Sequence, residues 1–296
     1  VTYYFGIIQF LIKKIAFIME KTMKTSGAET LSVSANIFVG QTEAPILIRP
    51  FISSMTKSEL LAIMVGGFAT VAGSVMALYV SWLNNVPNIA GHLLAASVMS
   101  APAALMIAKV IYPETERPKT VNSDNIDLKS KDTNAMDAIG RGATEGMKLA
   151  ANVAAMLIAF ISIVAMINFI LGYANTSLQE ILGMIFKPIA WAMGVPWQEA
   201  NIVGTLMGEK IVLTELIAFA DLTNYIKNDL LSERSAIIAS YALCGFANVG
   251  SIGIQLGGIG AMAPERRGDL SNLVFKAMIG GALASWLTAS IAGILI

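Results

Sequence analysis

One cysteine, one histidine and little charge set the first limits on this chain of 296 residues. Cys244 stands alone in an apolar run, so an intrachain disulfide framework and a cysteine-rich metal site are both excluded. His92 is the only histidine and reads as an interfacial or core residue. HExxH, GxSxG, Walker A and complete GxGxxG patterns are all missing. Their absence removes zinc-peptidase, serine-hydrolase and nucleotide-cradling readings, and a non-enzymatic role is expected. Charged residues make up 14% of the chain, against about 25% in soluble domains. Twenty basic and twenty acidic residues cancel, so nothing argues for a nucleic-acid partner. The chain opens on Val1 with no charged stretch ahead of a cleavage-like site, so no signal peptide is read and a natural start upstream is expected.

What is present is apolar. Hydrophobic residues reach 55% and the mean hydropathy is +0.67, which places the chain in a bilayer. A helix needs about 20 largely apolar residues to cross the hydrocarbon core. Leu60–Leu83, Leu149–Tyr173 and Leu270–Ile296 meet that, and Leu93–Tyr112 nearly does, interrupted by Pro102. Two other apolar regions would not insert as lone lipid-facing helices. Asn36–Met55 carries Glu43, Arg49 and two prolines, and Ala200–Leu222 carries Glu209, Lys210, Glu215 and Asp221. Glu209 and Asp221 are expected to be solvated at the interface. Ala236–Met262 contains six glycines with Asn248, Ser251 and Gln255 in its middle, the pattern of a broken helix. Val1–Lys24 suggests the end of a spanning helix followed by an amphipathic interfacial helix. Pro113–Lys148 holds six basic and seven acidic residues and reads as an aqueous connection. Trp191 and Trp197, with Pro188 and Pro196, mark another interfacial piece.

The two sides of that connection resemble each other. Gly67-Phe68-Ala69-Thr70-Val71 recurs as Gly245-Phe246-Ala247-Asn248-Val249, and each copy follows a Thr-Glu pair, Thr42-Glu43 and Thr214-Glu215. Paired, interrupted hydrophobic segments in two halves point to a secondary transporter. Non-helical backbone at membrane depth survives only when buried in protein or lining a watery cavity, where its freed polar groups can hold a ligand. A carboxylate at that depth costs roughly 2.5–3.5 kcal/mol on insertion scales. Glu43 and Glu215 are therefore candidate ligand groups, with ion pairs to Arg49 and Lys210 as the plainer alternatives. Gln41, Thr42 and Glu43 offer an amide, a hydroxyl and a carboxylate, a set able to bond both edges of a planar heterocycle. Glu215, Asn248 and Ser251 are acceptor-rich and suit a polyhydroxylated group, with Val75 and Phe246 as apolar lining. A hard cation would take oxygens from Asn36 and Thr70 side chains and from Val39 and Val71 carbonyls.

Three stretches carry a family resemblance: SGAETLSVSANIFVGQTEAP (Ser26–Pro45), GHLLAASVMSAPAALMIAK (Gly91–Lys109) and YALCGFANVGSIGIQLGGIGAMAP (Tyr241–Pro264). Together they resemble the concentrative nucleoside transporters. That resemblance implies an all-α integral membrane protein, an inverted repeat of re-entrant hairpin plus broken helix with scaffold helices. It further implies a cation-coupled nucleoside symporter of the cytoplasmic (bacterial inner) membrane, homotrimeric and working by elevator-like alternation. Gly40, Gln41, Thr42 and Glu43 would contact the nucleobase with Val75 nearby; Glu215, Asn248 and Ser251 would hold the ribose, with Phe246 against the ligand. Asn36, Val39, Thr70 and Val71 match the family's sodium site. Proton-coupled relatives tend to lack the asparagine, so Asn36 points to Na⁺ rather than H⁺. Many members read Asn-Glu-Phe-Val where this chain has Thr214-Glu215-Leu216-Ile217. The expected division is residues 1–35, scaffold end and interfacial helix; 36–112, first transport repeat; 113–148, polar connection; 149–177, scaffold helix; and 178–296, second transport repeat.

Overall fold

A computed structural model describes residues 6–120 and 133–296, and every regular element among them is helical. α1 (Ile7–Met23) buries Ile12, Ala16 and Met19 on one face and exposes Phe10, Phe17 and Ile18 on the other. It ends at Lys24, whose φ of 56° is left-handed and whose N–H reaches back to the Glu20 carbonyl. α2 (Gly27–Ala35) leads into an irregular tip, and the chain returns through a 3₁₀ turn (Ala44–Ile48) and α3 (Arg49–Ile52). This down-and-back path is the first hairpin. α4 (Lys57–Ala69) and α5 (Gly73–Trp82) follow as two halves of one interrupted helix, and then α6 (Ile89–Ile111), with Pro102 inside it.

The second half repeats the scheme. After α7 (Ala135–Gly172) and α8 (Leu178–Ala192), α9 (Ala200–Val212) and α10 (Glu215–Lys227) form a second hairpin. α11 (Glu233–Leu243) and α12 (Val249–Met262) are again two halves of a broken helix, and a 3₁₀ turn leads to α13 (Arg267–Leu295). α7 begins at Ala135, so its first turns cover part of the stretch expected to be an aqueous connection. Three helical stretches are long and apolar enough to cross a membrane among the described residues: Lys57–Trp82, Ile89–Ile111 and Pro264–Leu295.

Past its first turn α4 is apolar on all sides, and every residue from Ser58 to Ala69 is buried. A helix of that kind belongs in the middle of a bundle, and α4 packs on α13, α6 and α2. Lipid tails are as apolar as leucine, so close packing rather than hydrophobicity drives such contacts. α13 accordingly turns Ala277, Gly280, Gly281, Ala284 and Ser285 inward. The breaks have a packing cause as well. Gly245 has φ +146°, and a Cβ there would stand 2.8 Å from the Phe68 carbonyl oxygen and 2.9 Å from that of Ala69. The two interruptions thus abut, one from each repeat.

Buried charge also sits at the root of the first hairpin. Ser26 and Glu29 form a capping box on α2, and Thr56 and Glu59 form one on α4. The Ser26 hydroxyl donates to Glu59 Oε1 at 2.5 Å, and Lys109 Nζ lies 2.7 Å from Glu29 Oε2. Glu29 and Glu59 are each 1% exposed, so this lattice of bonds is what makes their burial tolerable. It fixes where the first hairpin starts, and hence where its tip ends.

Candidate functional site: two hairpin tips on two broken helices

The first tip is held by its own backbone. Glu43 Oε2 accepts from the Gly40 N–H at 2.8 Å, and the Gly40 carbonyl accepts from the Glu43 and Ala44 N–H groups. The Phe38 carbonyl accepts from Gly73 N–H at 3.2 Å, which seats the tip against the start of α5. The Thr42 methyl lies over Gly258 of α12, where an added Cβ would come within 2.7 Å of it. The second tip is the α9–α10 turn. Thr214 caps α10 by accepting from Ile217 N–H, and Glu215 opens the helix.

One hydrogen-bonded chain runs between the tips. Gln41 Nε2 donates to Ser251 Oγ at 3.1 Å. The Ser251 N–H donates to Asn248 Oδ1 at 2.7 Å, so Asn248 is the N-cap of α12. Asn248 Nδ2 donates to Glu215 Oε2 at 3.0 Å, and the Tyr79 hydroxyl donates to Glu215 Oε1 at 3.1 Å. Gln41, Asn248, Ser251, Glu215 and Tyr79 are all buried. Tyr79 is held in turn by stacking on Phe219, ring centroids 3.9 Å apart. A buried carboxylate with two donors still has lone pairs for hydroxyl groups of a ligand. Val75 and Phe246 are half-buried beside this chain's elements, on α5 and in the α11–α12 break.

A second set of candidate residues lies at the end of α2 and in the α4–α5 break, two segments joined by the Phe38–Gly73 bond. Asn36 is fully buried and donates through Nδ2 to the Ser32 carbonyl at 3.2 Å, while its Oδ1 has no hydrogen-bond partner. Thr70 and Val71, in the extended break, are also buried, and Val39 is half-buried on the tip. An orphaned, buried acceptor beside interrupted backbone is what an oxygen-liganded cation requires.

The family model described as Na⁺ dependent nucleoside transporter C-terminus matches residues 92–293. The chain belongs to that family. A second family model, described as nucleoside recognition, matches residues 1–86. The chain is 47% identical to an uncharacterised transporter of Haemophilus influenzae, covering all of this chain and 72% of the relative. It is 43% identical to the mouse sodium/nucleoside cotransporter 1, again over its full length, but spans only 48% of that protein. Among solved structures, CNTnw in an inward-facing substrate-bound state superposes with a TM-score of 0.92 at 47% identity, covering 99% of this chain and 71% of that one. A CNTnw variant in an outward-facing state gives 0.90 at 45% identity, covering 99% and 70%.

Family members are transporters, not enzymes. Of the residues singled out in the sequence, the structure draws Gln41, Asn248, Ser251 and Glu215 into one network. It leaves Glu43 exposed and turned onto its own tip. Neither plain ion pair forms among the described residues. Glu43 takes its bond from Gly40, and Lys210 is fully buried with Nζ donating to the Ala242 carbonyl and Ser285 Oγ. Lys210 thereby places a cation at the C-terminal end of α11, where helix carbonyls point. Glu209 is not interfacial: it is 2% exposed because α9 lies against α8, α10 and α11, and its Oε2 lacks a partner. Asp221 is half-buried on α10. His92 is half-buried, with Nδ1 3.3 Å from the Tyr241 hydroxyl. Sequence reasoning passed over Tyr79 and Gln255 as partners. A tyrosine inside an apolar span was the available signal, since a buried hydroxyl needs an acceptor.

Proposed function

We propose that this chain is the ligand-binding and moving part of a Na⁺-coupled nucleoside symporter of the cytoplasmic (bacterial inner) membrane. The observation that carries the reading is the continuous hydrogen-bonded chain from Gln41 through Ser251 and Asn248 to Glu215. It joins both hairpin tips through one broken helix, so a ligand spanning them would tie the two repeats together. Glu215, Asn248 and Ser251 hold the ribose hydroxyls; Gly40, Gln41, Thr42 and Glu43 face the nucleobase, with Val75 and Phe246 as apolar walls.

Na⁺ is co-substrate. Asn36 Oδ1, the Thr70 side chain and the Val39 and Val71 carbonyls receive it. Because Phe38 of the tip is bonded to Gly73 at the break, an ion held between them orders the tip that reads the base. Each ligand then binds better when the other is present, which is the thermodynamic content of coupling. The repeat-carrying body moves as an elevator against scaffold helices within a homotrimer. CNTnw has been solved in outward-facing, intermediate and inward-facing states, which supports that picture. The alternative is proton coupling by the same carrier. It is less favoured because Asn36 supplies the buried unpaired oxygen a metal cation needs.

The test is uptake of a nucleoside panel, uridine included, by proteoliposomes with an inward Na⁺ gradient, against choline at fixed pH. Accumulation only with Na⁺ is expected. Equal accumulation in choline with an inward proton gradient assigns coupling to H⁺, and no uptake of any nucleoside refutes the reading.

A further inference from the structure

Gln255 sits one turn beyond Ser251 on α12, fully buried. Its Nε2 donates to two acceptors, the Met64 carbonyl and Gln41 Oε1, each at 3.1 Å. The amide fits there because Gly67 has no side chain: an added Cβ would stand 2.7 Å from Gln255 Nε2. A side-chain amide can in principle face either way, its oxygen and nitrogen being interchangeable in shape. Here one end of the chain of bonds removes the choice. A backbone carbonyl accepts and never donates, so the Gln255 atom facing Met64 is nitrogen. The Gln41 atom facing that nitrogen is then oxygen, and the Gln41 NH₂ is turned to Ser251 Oγ, 3.1 Å away. One of its two N–H groups is engaged and the other is left over.

Packing does not explain a glutamine at this place. Gln255 Oε1 is buried with no hydrogen-bond partner. Leucine, close to it in size, would carry no such uncompensated oxygen. We propose that Gln255 is a positioning residue that sets nucleobase selectivity, holding the Gln41 carboxamide with its oxygen occupied and its NH₂ toward the ligand. The hairpin tip then offers one fixed donor, from Gln41, beside one fixed acceptor, the Glu43 carboxylate. That pair matches a base edge with a carbonyl next to a ring N–H, as in uracil. It mismatches an edge with a bare ring nitrogen next to an amino group, as in cytosine. The inference rests on the reading of Gln41 and Glu43 as base contacts.

The test is the ratio of KM for cytidine to KM for uridine in proteoliposomes, for the native chain, Gln255→Leu and Gln255→Met. A ratio of KM values does not depend on how much protein folds. The native chain is expected to favour uridine, and both variants to bring the ratio about fivefold closer to one, the worth of one neutral hydrogen bond. A freed Gln41 amide can turn to suit either base. An unchanged ratio in both variants, or loss of both activities in both, overturns the inference while leaving nucleoside transport standing. No nucleoside uptake by the native chain removes the reading beneath it instead.

Discussion

At the scale of single residues, burial converts small chemical differences into large effects. Tyr79→Phe keeps the ring stacked on Phe219 and takes one donor from the Glu215 carboxylate. Hydrogen bonds to charged groups are worth about 1.5–3 kcal/mol, so KM for nucleoside is expected to rise about tenfold or more with the protein still folded. Uptake kinetics beside a thermal unfolding scan check this, and an unchanged KM would remove Tyr79 from the site. Asn36→Ala deletes the buried oxygen that has no protein partner. Half-saturation by Na⁺ is expected to rise about tenfold or more, taking an ion–oxygen contact as at least one charged hydrogen bond. An unaltered Na⁺ response would place the ion elsewhere. The residue types at these positions were legible in the sequence; their pairings were not. Lys210 is close to Glu215 in sequence, yet it turns to Ala242 and Ser285 while Tyr79, from the other repeat, reaches Glu215.

Elements are positioned by where the backbone cannot continue. The repeated Gly-Phe-Ala motif announced two interruptions, and both are present, between α4 and α5 and between α11 and α12. What the motif did not announce is that the interruptions lean on each other through Gly245. Gly245→Ala puts a side chain at left-handed φ and into two carbonyl oxygens. A loss of about 2–4 kcal/mol is expected from strain plus overpacking. The midpoint of thermal unfolding in detergent measures it, and a native midpoint would mean the breaks can part at no cost. The long helix α7 shows the opposite limit of sequence reading. Its apolar half was expected to span from Leu149 to Tyr173, and among the described residues Ile161–Gly172 is an apolar helix; its start at Ala135 was hidden, because that stretch is polar and helical at once.

For the whole molecule, the apolar outer faces decide what can surround it. α7 packs on α8 and leaves Ile158, Ile161, Phe169 and Ile170 exposed. Such a face needs lipid or another copy of the chain, in line with the proposed trimer. Ile161→Lys should cost about 2.5–3.5 kcal/mol on insertion, seen as a fall in the membrane-fraction yield of the chain. Native yield would mean that this face meets water. The sequence by itself determined the apolar character, the all-helical class, the duplicated plan and the two tip carboxylates, because each is a matter of local composition and order along the chain. Only the tertiary structure decided the partners. Gln41 meets Ser251 across 210 positions and Tyr79 meets Glu215 across 136. At such separations the order of residues carries no distance; the crossing of two broken helices does.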